Sequence, residues 1–164
     1  MSIKTAVLTA ALVSAGLALS AAQAATSTAT MPVTITIQNA CNVSSVAPTT
    51  LNFGTQGPLL AAVNQTSTIT VTCTKNAPYN IGLDGGTSGN VNARTMINGA
   101  NSVGYQLYSD SSRTAVWGNT IGTNTVASSG TGSAQAFTVY GQVPAQATPP
   151  AATYNDTVNV TVTY

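Results

Sequence analysis

Three stretches of this sequence alternate apolar and polar side chains one for one. They are Met31, Val33, Ile35 and Ile37 in MPVTITIQNAC, Ile69 and Val71 in STITVTC, and Val158, Val160, Val162 and Tyr164 in YNDTVNVTVTY. Side chains along a strand point alternately to opposite faces, so a period of two makes a ribbon with one apolar face; a helix, with its period of 3.6, would scatter these residues around its surface. Composition agrees: 43% of the chain is hydrophobic, yet Thr, Ser, Asn, Gln and Gly fill the spaces between apolar residues, and glutamate is absent. Such a chain builds thin, half-buried strands.

After the first of these stretches, β-like runs lie at 42–53 with Pro48 interrupting, 67–73, 79–83, 95–97, 103–108, 115–117, 136–143 and 156–164. Turn signals separate them: Asp84-Gly85-Gly86, Asn98-Gly99, Asp110-Ser111-Ser112, Ser129-Gly130 and Pro149-Pro150. Many short strands at this spacing predict an all-β sandwich or barrel in one domain.

Residues 1–24 read as a secretion leader. Lys4 is followed by an apolar run from Ala6 to Leu19 and by Ala22-Gln23-Ala24, small residues suited to a signal peptidase. The run is shorter than the roughly 20 residues of a membrane-spanning helix. Beyond the leader, Lys75, Arg94 and Arg113 balance Asp84, Asp110 and Asp156. Zero net charge leaves no basic patch for phosphates, which argues against nucleic acid as a partner. Two exported cysteines, Cys41 and Cys73, predict one disulfide, with paired free thiols the alternative. If Cys41 starts one strand and Cys73 ends its antiparallel neighbour, the two meet.

That register makes residues 25–40 an extension ahead of a domain at 41–164. Its ridge of Met31, Val33, Ile35 and Ile37 lies outside the first strand of its own domain. At the other end, Val158, Val160, Val162 and Tyr164 form a strand with no following residues to cover it. An immunoglobulin-like sandwich has a further strand there. Unpaired edges invite strand addition from another chain, and the link between Ile37 and Cys41 is too short for an easy crossover within one domain.

The segments LNFGT at 51–55, ITVTCTK at 69–75, ARTM at 93–96, YQLYSDSSRTAVWG at 105–118 and YNDTVNVTVTY at 154–164 resemble the spore coat protein U domain family, which includes pilins of archaic chaperone-usher pili such as the Csu pilus. The resemblance implies an incomplete immunoglobulin-like β-sandwich lacking its final strand, completed by a donor strand from a neighbouring subunit. It makes Met31, Val33, Ile35 and Ile37 the donor residues and Val158, Val160, Val162 and Tyr164 the acceptor groove, with the Tyr164 carboxylate held by basic residues of a periplasmic chaperone. The implied partners are that chaperone, an outer-membrane usher, and copies of the same or related pilins. The implied destination is a surface fibre for adhesion and biofilm formation. Residues 25–30, ATSTAT, depart from a donor pattern, so the useful ridge begins near Met31; Pro32, without an N–H, suits a strand start.

Other chemistry finds little support. The chain has no histidine, which removes the Ser-His-Asp and Cys-His arrangements and the usual zinc sites. Asp84, Asp110 and Asp156 lie at turns or a strand start and show no calcium-loop spacing, so no catalytic, metal or cofactor site is expected. Asp110 and Arg113 are expected to pair across a turn, and Trp117 to pack on the sandwich; a monomeric lectin would instead use Trp117 as a sugar platform. A secreted coat or matrix protein is the remaining alternative.

Overall fold

The computed structural model describes residues 24–43 and 49–164. By contacts the chain divides into two compact units, one ending at Ile35 and the other beginning at Thr36. Residues 24–40 form no strand or helix, and their side chains are exposed.

The unit from Thr36 onward is all-β, as expected. Its strands are β1 (Cys41–Val43), β2 (Val63–Cys73), β3 (Pro78–Leu83), β4 (Arg94–Asn98), β5 (Asn101–Tyr108), β6 (Val126–Ser129), β7 (Ala134–Val143) and β8 (Val160–Thr163), with one 3₁₀ turn at Gly86–Ser88. They form two antiparallel sheets, a larger one in the order β1-β2-β7-β5-β4 and a smaller one in the order β6-β3-β8. Burial alternates along β2, β5 and β7 as the sequence pattern requires. Ile69, Val71, Leu107 and Val139 of the large sheet share a core with Tyr79, Ile81 and Leu83 of β3.

The cysteines stand in the expected register. Cys41, first in β1, is the antiparallel partner of Cys73, last in β2, and the two form a disulfide. Thr74 reinforces the corner: its N–H donates to Ala40 O at 2.9 Å, and its hydroxyl accepts from the Ala40 N–H at 3.1 Å.

Several strand expectations need correction. The run at 42–53 is a strand only to Val43 among the described residues; its Pro48 lies outside them, and 49–53 is coil. That coil runs beside β2 on a few bonds, such as Thr49 N–H to Thr68 O at 3.3 Å. The run at 115–117 is no strand but one bridge, Val116 to Tyr108. Only Val160–Thr163 of 156–164 pairs as a strand, because Asn155 is drawn to Ile97 on the other sheet. β6 was not foreseen: VASS has one large apolar residue and no alternation to mark it.

Two side chains tie the sheets together. Arg94, at the start of β4, is 1% exposed. Its Nε donates to Asp84 O (2.8 Å), Nη1 to Val91 O (3.1 Å) and the Gln106 amide oxygen (2.6 Å), and Nη2 to Leu83 O (3.0 Å) and Trp117 O (2.8 Å). A guanidinium carries five N–H donors, and each has an acceptor here. Burial pushes its pKa below the ordinary guanidinium value, while Tyr105, Asp84 and Asp156 oppose that shift. Trp117, also 1% exposed, donates its indole N–H to Ile81 O of β3 at 2.9 Å and its backbone N–H to Leu107 O of β5 at 2.9 Å.

Arg94→Met, which leaves these acceptors buried and unpaired, is expected to destabilise the fold by about 3 kcal/mol or more. Opening the disulfide in Cys41→Ser/Cys73→Ser is expected to cost about 3 kcal/mol. Urea unfolding of each variant against the parent chain checks both values.

Candidate functional site: an open cleft between the sheets

One side of the core is bordered by the coil at 49–59 and the chain at 148–160. There an open cleft of about 1220 Å³ reaches the interior between the sheets. Its floor includes Ile69 of β2, Leu83 of β3, Val103 and Leu107 of β5, and Val139 and Val143 of β7. One wall is the coil at 49–59; the other is the chain at 148–160.

The coil wall is seated by glycine. Leu51 and Phe53 lie over Gly141 of β7, where an added Cβ would come within 2.5 Å of Leu51 and 3.1 Å of Phe53. A side chain at 141 would therefore push this wall outward. Ser67 and Thr49 hold its start through paired hydroxyls at 2.9 Å.

The opposite wall leads into β8. Val158 and Val160, two of the expected groove residues, line the cleft. Val162 packs half-buried against the core further along β8, and Tyr164 is 61% exposed beyond the strand end. Met31, Val33, Ile35 and Ile37 are 83%, 83%, 85% and 70% exposed, so this apolar ridge has no cover of its own. The coil wall and the floor escaped sequence reasoning, although LNFGT contains Leu51 and Phe53; no alternation distinguishes the coil.

The cleft is nearly uncharged. Among its described lining residues, Asp156 alone is charged. Its Oδ2 accepts from the Tyr105 hydroxyl at 2.6 Å, and its Oδ1 from the Thr87 N–H and hydroxyl, each at 2.7 Å. Burial pushes the Asp156 carboxyl upward, but hydrogen bonds from Tyr105 and Thr87 outweigh it and hold the pKa below 3.8. Burial likewise raises Asp84, and bonds from the Asn159 side chain and the Gly86 and Asn159 N–H groups again bring it below 3.8. Burial first, then the bond to Asp156, pushes the Tyr105 hydroxyl far above 10.0.

The remaining expected residues lie elsewhere. Asp110 accepts from Ser112 and Thr114 hydroxyls and from the Thr114 and Ala115 N–H groups, closing its own turn. These bonds, that from Ser112 foremost, hold its carboxyl well below the usual range. Arg113 belongs to the same turn through its N–H to Asp110 O at 3.1 Å, but its guanidinium reaches Gly141 O at 3.3 Å and lies 5.8 Å from the Tyr140 ring centre. The expected pairing across the turn is thus made by backbone, not by the two side chains. Trp117 is buried, so it offers no platform for a sugar ring.

The spore coat protein U domain model matches residues 27–161. The chain belongs to the spore coat protein U domain family. Protein U of Myxococcus xanthus is 37% identical to this spore coat U domain protein over 180 aligned positions, covering 99% of each chain. Its fold is similar to the crystal structure of the CsuC–CsuE chaperone–tip adhesion subunit pre-assembly complex from the archaic chaperone-usher Csu pili of Acinetobacter baumannii, with a TM-score of 0.57 and 27% identity. That match covers 79% of the spore coat U chain and 40% of the solved one. Among the described residues no helix is long and apolar enough to cross a membrane.

The titrating groups at the cleft set a pH dependence. Asp84 and Asp156, with lowered folded pKa values, stabilise the fold above about 3.8, and that contribution is lost as pH falls through their folded values. Tyr105, raised above 10.0, contributes stability that is present below pH 10 and lost above it. Unfolding free energy is expected to be level through neutral pH and to fall at both extremes. Tyr105→Phe is expected to flatten the alkaline fall, as read by urea titrations across pH.

Proposed function

We propose that this chain is an exported structural subunit that polymerises by donor-strand complementation. Residues 25–40 serve as the donor extension and residues 41–164 as the acceptor domain. Met31, Val33, Ile35 and Ile37 of one copy enter the cleft of the next, beside Val158, Val160 and Val162. The observation that carries this proposal is the open, almost uncharged cleft whose floor is the sandwich's own core. An uncharged ribbon with one apolar face matches it in chemistry, and the exposed ridge is such a ribbon.

The energy scale suits a lasting joint. Burying four aliphatic side chains at about 1.5–3 kcal/mol each gives about 6–12 kcal/mol before ordering costs, and ladder hydrogen bonds add to it. Because donor and acceptor are different surfaces, each junction leaves a free donor and a free acceptor at the ends, and the assembly grows as a filament. The cleft has to be covered in transit. In this proposal a periplasmic chaperone covers it, contacting the Tyr164 end of β8, until an outer-membrane usher exchanges chaperone for donor. The likeness to a chaperone–tip adhesion subunit pre-assembly complex supports the chaperone as a partner. The product is a cell-surface fibre for adhesion and biofilm formation, with no enzymatic step.

The identity with Protein U across nearly the whole chain favours a second destination, a protective coat or matrix. The joint would be the same, and immunogold labelling of the assembled protein on cells and spores separates the two.

Ile35→Asp places a carboxylate in the middle of the ridge. It is expected to abolish fibres in electron micrographs while co-purification with the chaperone through β8 survives. Fibres of normal length from this variant would overturn the proposal.

A further inference from the structure

The wall that leads into β8 has an unusual construction. Asn155 bridges to Ile97 at the edge of the large sheet, and Val160 begins pairing in the small one. The residues between them, 156–159, belong to no strand. Two aspartates hold this passage instead. At its start, Asp156 reaches outward to Thr87 in the 3₁₀ turn and to Tyr105 on β5. At its end, Asp84 reaches inward: Oδ1 accepts from the Asn159 N–H at 3.0 Å and Oδ2 from the Asn159 side chain at 2.6 Å, while the Asp84 N–H donates to Asn159 O at 3.2 Å.

Both carboxylates converge on one short turn. Asp84 Oδ1 also accepts from the Gly86 N–H at 2.9 Å. Gly86 has φ +57°, and a Cβ there would collide with the Asp156 carboxylate. Only glycine leaves room for that carboxylate to dock. Val158, between the two pins, lines the cleft.

We propose that Asp84 and Asp156 are positioning residues of the acceptor cleft: they pin residues 156–159 from both ends, so that an incoming strand meets Val158 and Val160 already in place. This inference rests on the donor-strand function proposed above. A wall ordered in advance spares the complex the entropy of ordering it, and such preorganisation is read chiefly in how slowly the partner leaves. The charged and titratable groups facing the pair are Tyr105 from β5 and Arg94 from β4. Neither needs to change state for the pins to act.

The test uses the full chain carrying Ile35→Asp, so that its own extension does not compete, and a fluorescent peptide of residues 25–40. Asp156→Asn and Gly86→Ala, the second of which keeps the charge but blocks its seat, are each expected to speed peptide dissociation about tenfold. Together they should do little more than either alone, because both undo one contact. Cys41→Ser/Cys73→Ser serves as the control for general destabilisation and should leave dissociation unchanged. If Asp156→Asn does not fold, Thr87→Val removes a single donor and should give a two- to threefold change. Unchanged dissociation in the folded pin variants, or an equal change in the disulfide control, overturns the positioning role. No binding by the Ile35→Asp parent overturns donor-strand exchange itself, and the positioning role with it.

Discussion

Arg94 and Trp117 tie together two sheets bordered along one side by a cleft. The apolar core shared by the two sheets packs the layers but is non-directional, so it does not alone set their register. Here directional bonds do that work from within. One guanidinium satisfies carbonyls of residues 83, 84, 91 and 117 and the Gln106 amide oxygen, while Trp117 spans β3 and β5 through its indole N–H and its backbone N–H. Such bonds are strong in the dry interior and demand correct geometry. They link β3 of the small sheet to β4 and β5 of the large one.

The cleft inherits its character from this arrangement. Its floor is core, its coil wall rests over Gly141, and its other wall is pinned by aspartates where a sheet ladder would ordinarily run. The apolar floor of the cleft suits cover by another apolar surface. The ridge at 31–37 is likewise apolar and exposed, and the chain belongs to the spore coat protein U domain family.

Legibility in the sequence followed the strength of local periodicity. β2, β5 and β7 bury every second residue, and their alternation could be read directly. Val158 and Val160 were found for the same reason. The coil at 49–59 could not be, because it packs through Leu51, Phe53 and Leu59 without a ladder to impose a period. β6 escaped because a short edge strand needs few apolar residues. Arg94 escaped because charge on a strand ordinarily signals solvent, and only convergence of distant carbonyls makes a buried guanidinium tolerable.

By itself, then, the sequence determined the all-β class, the one-residue alternation of its longest strands, the meeting of Cys41 with Cys73, and the two apolar ridges near the ends. These are properties of a chain and its immediate neighbours, set by the two-residue repeat of a strand. Tertiary structure alone decided that Arg94 is buried among distant carbonyls and that Asp84 and Asp156 converge on Gly86. Each of these depends on groups far apart in sequence, and no local pattern encodes which distant carbonyl or hydroxyl a side chain will meet.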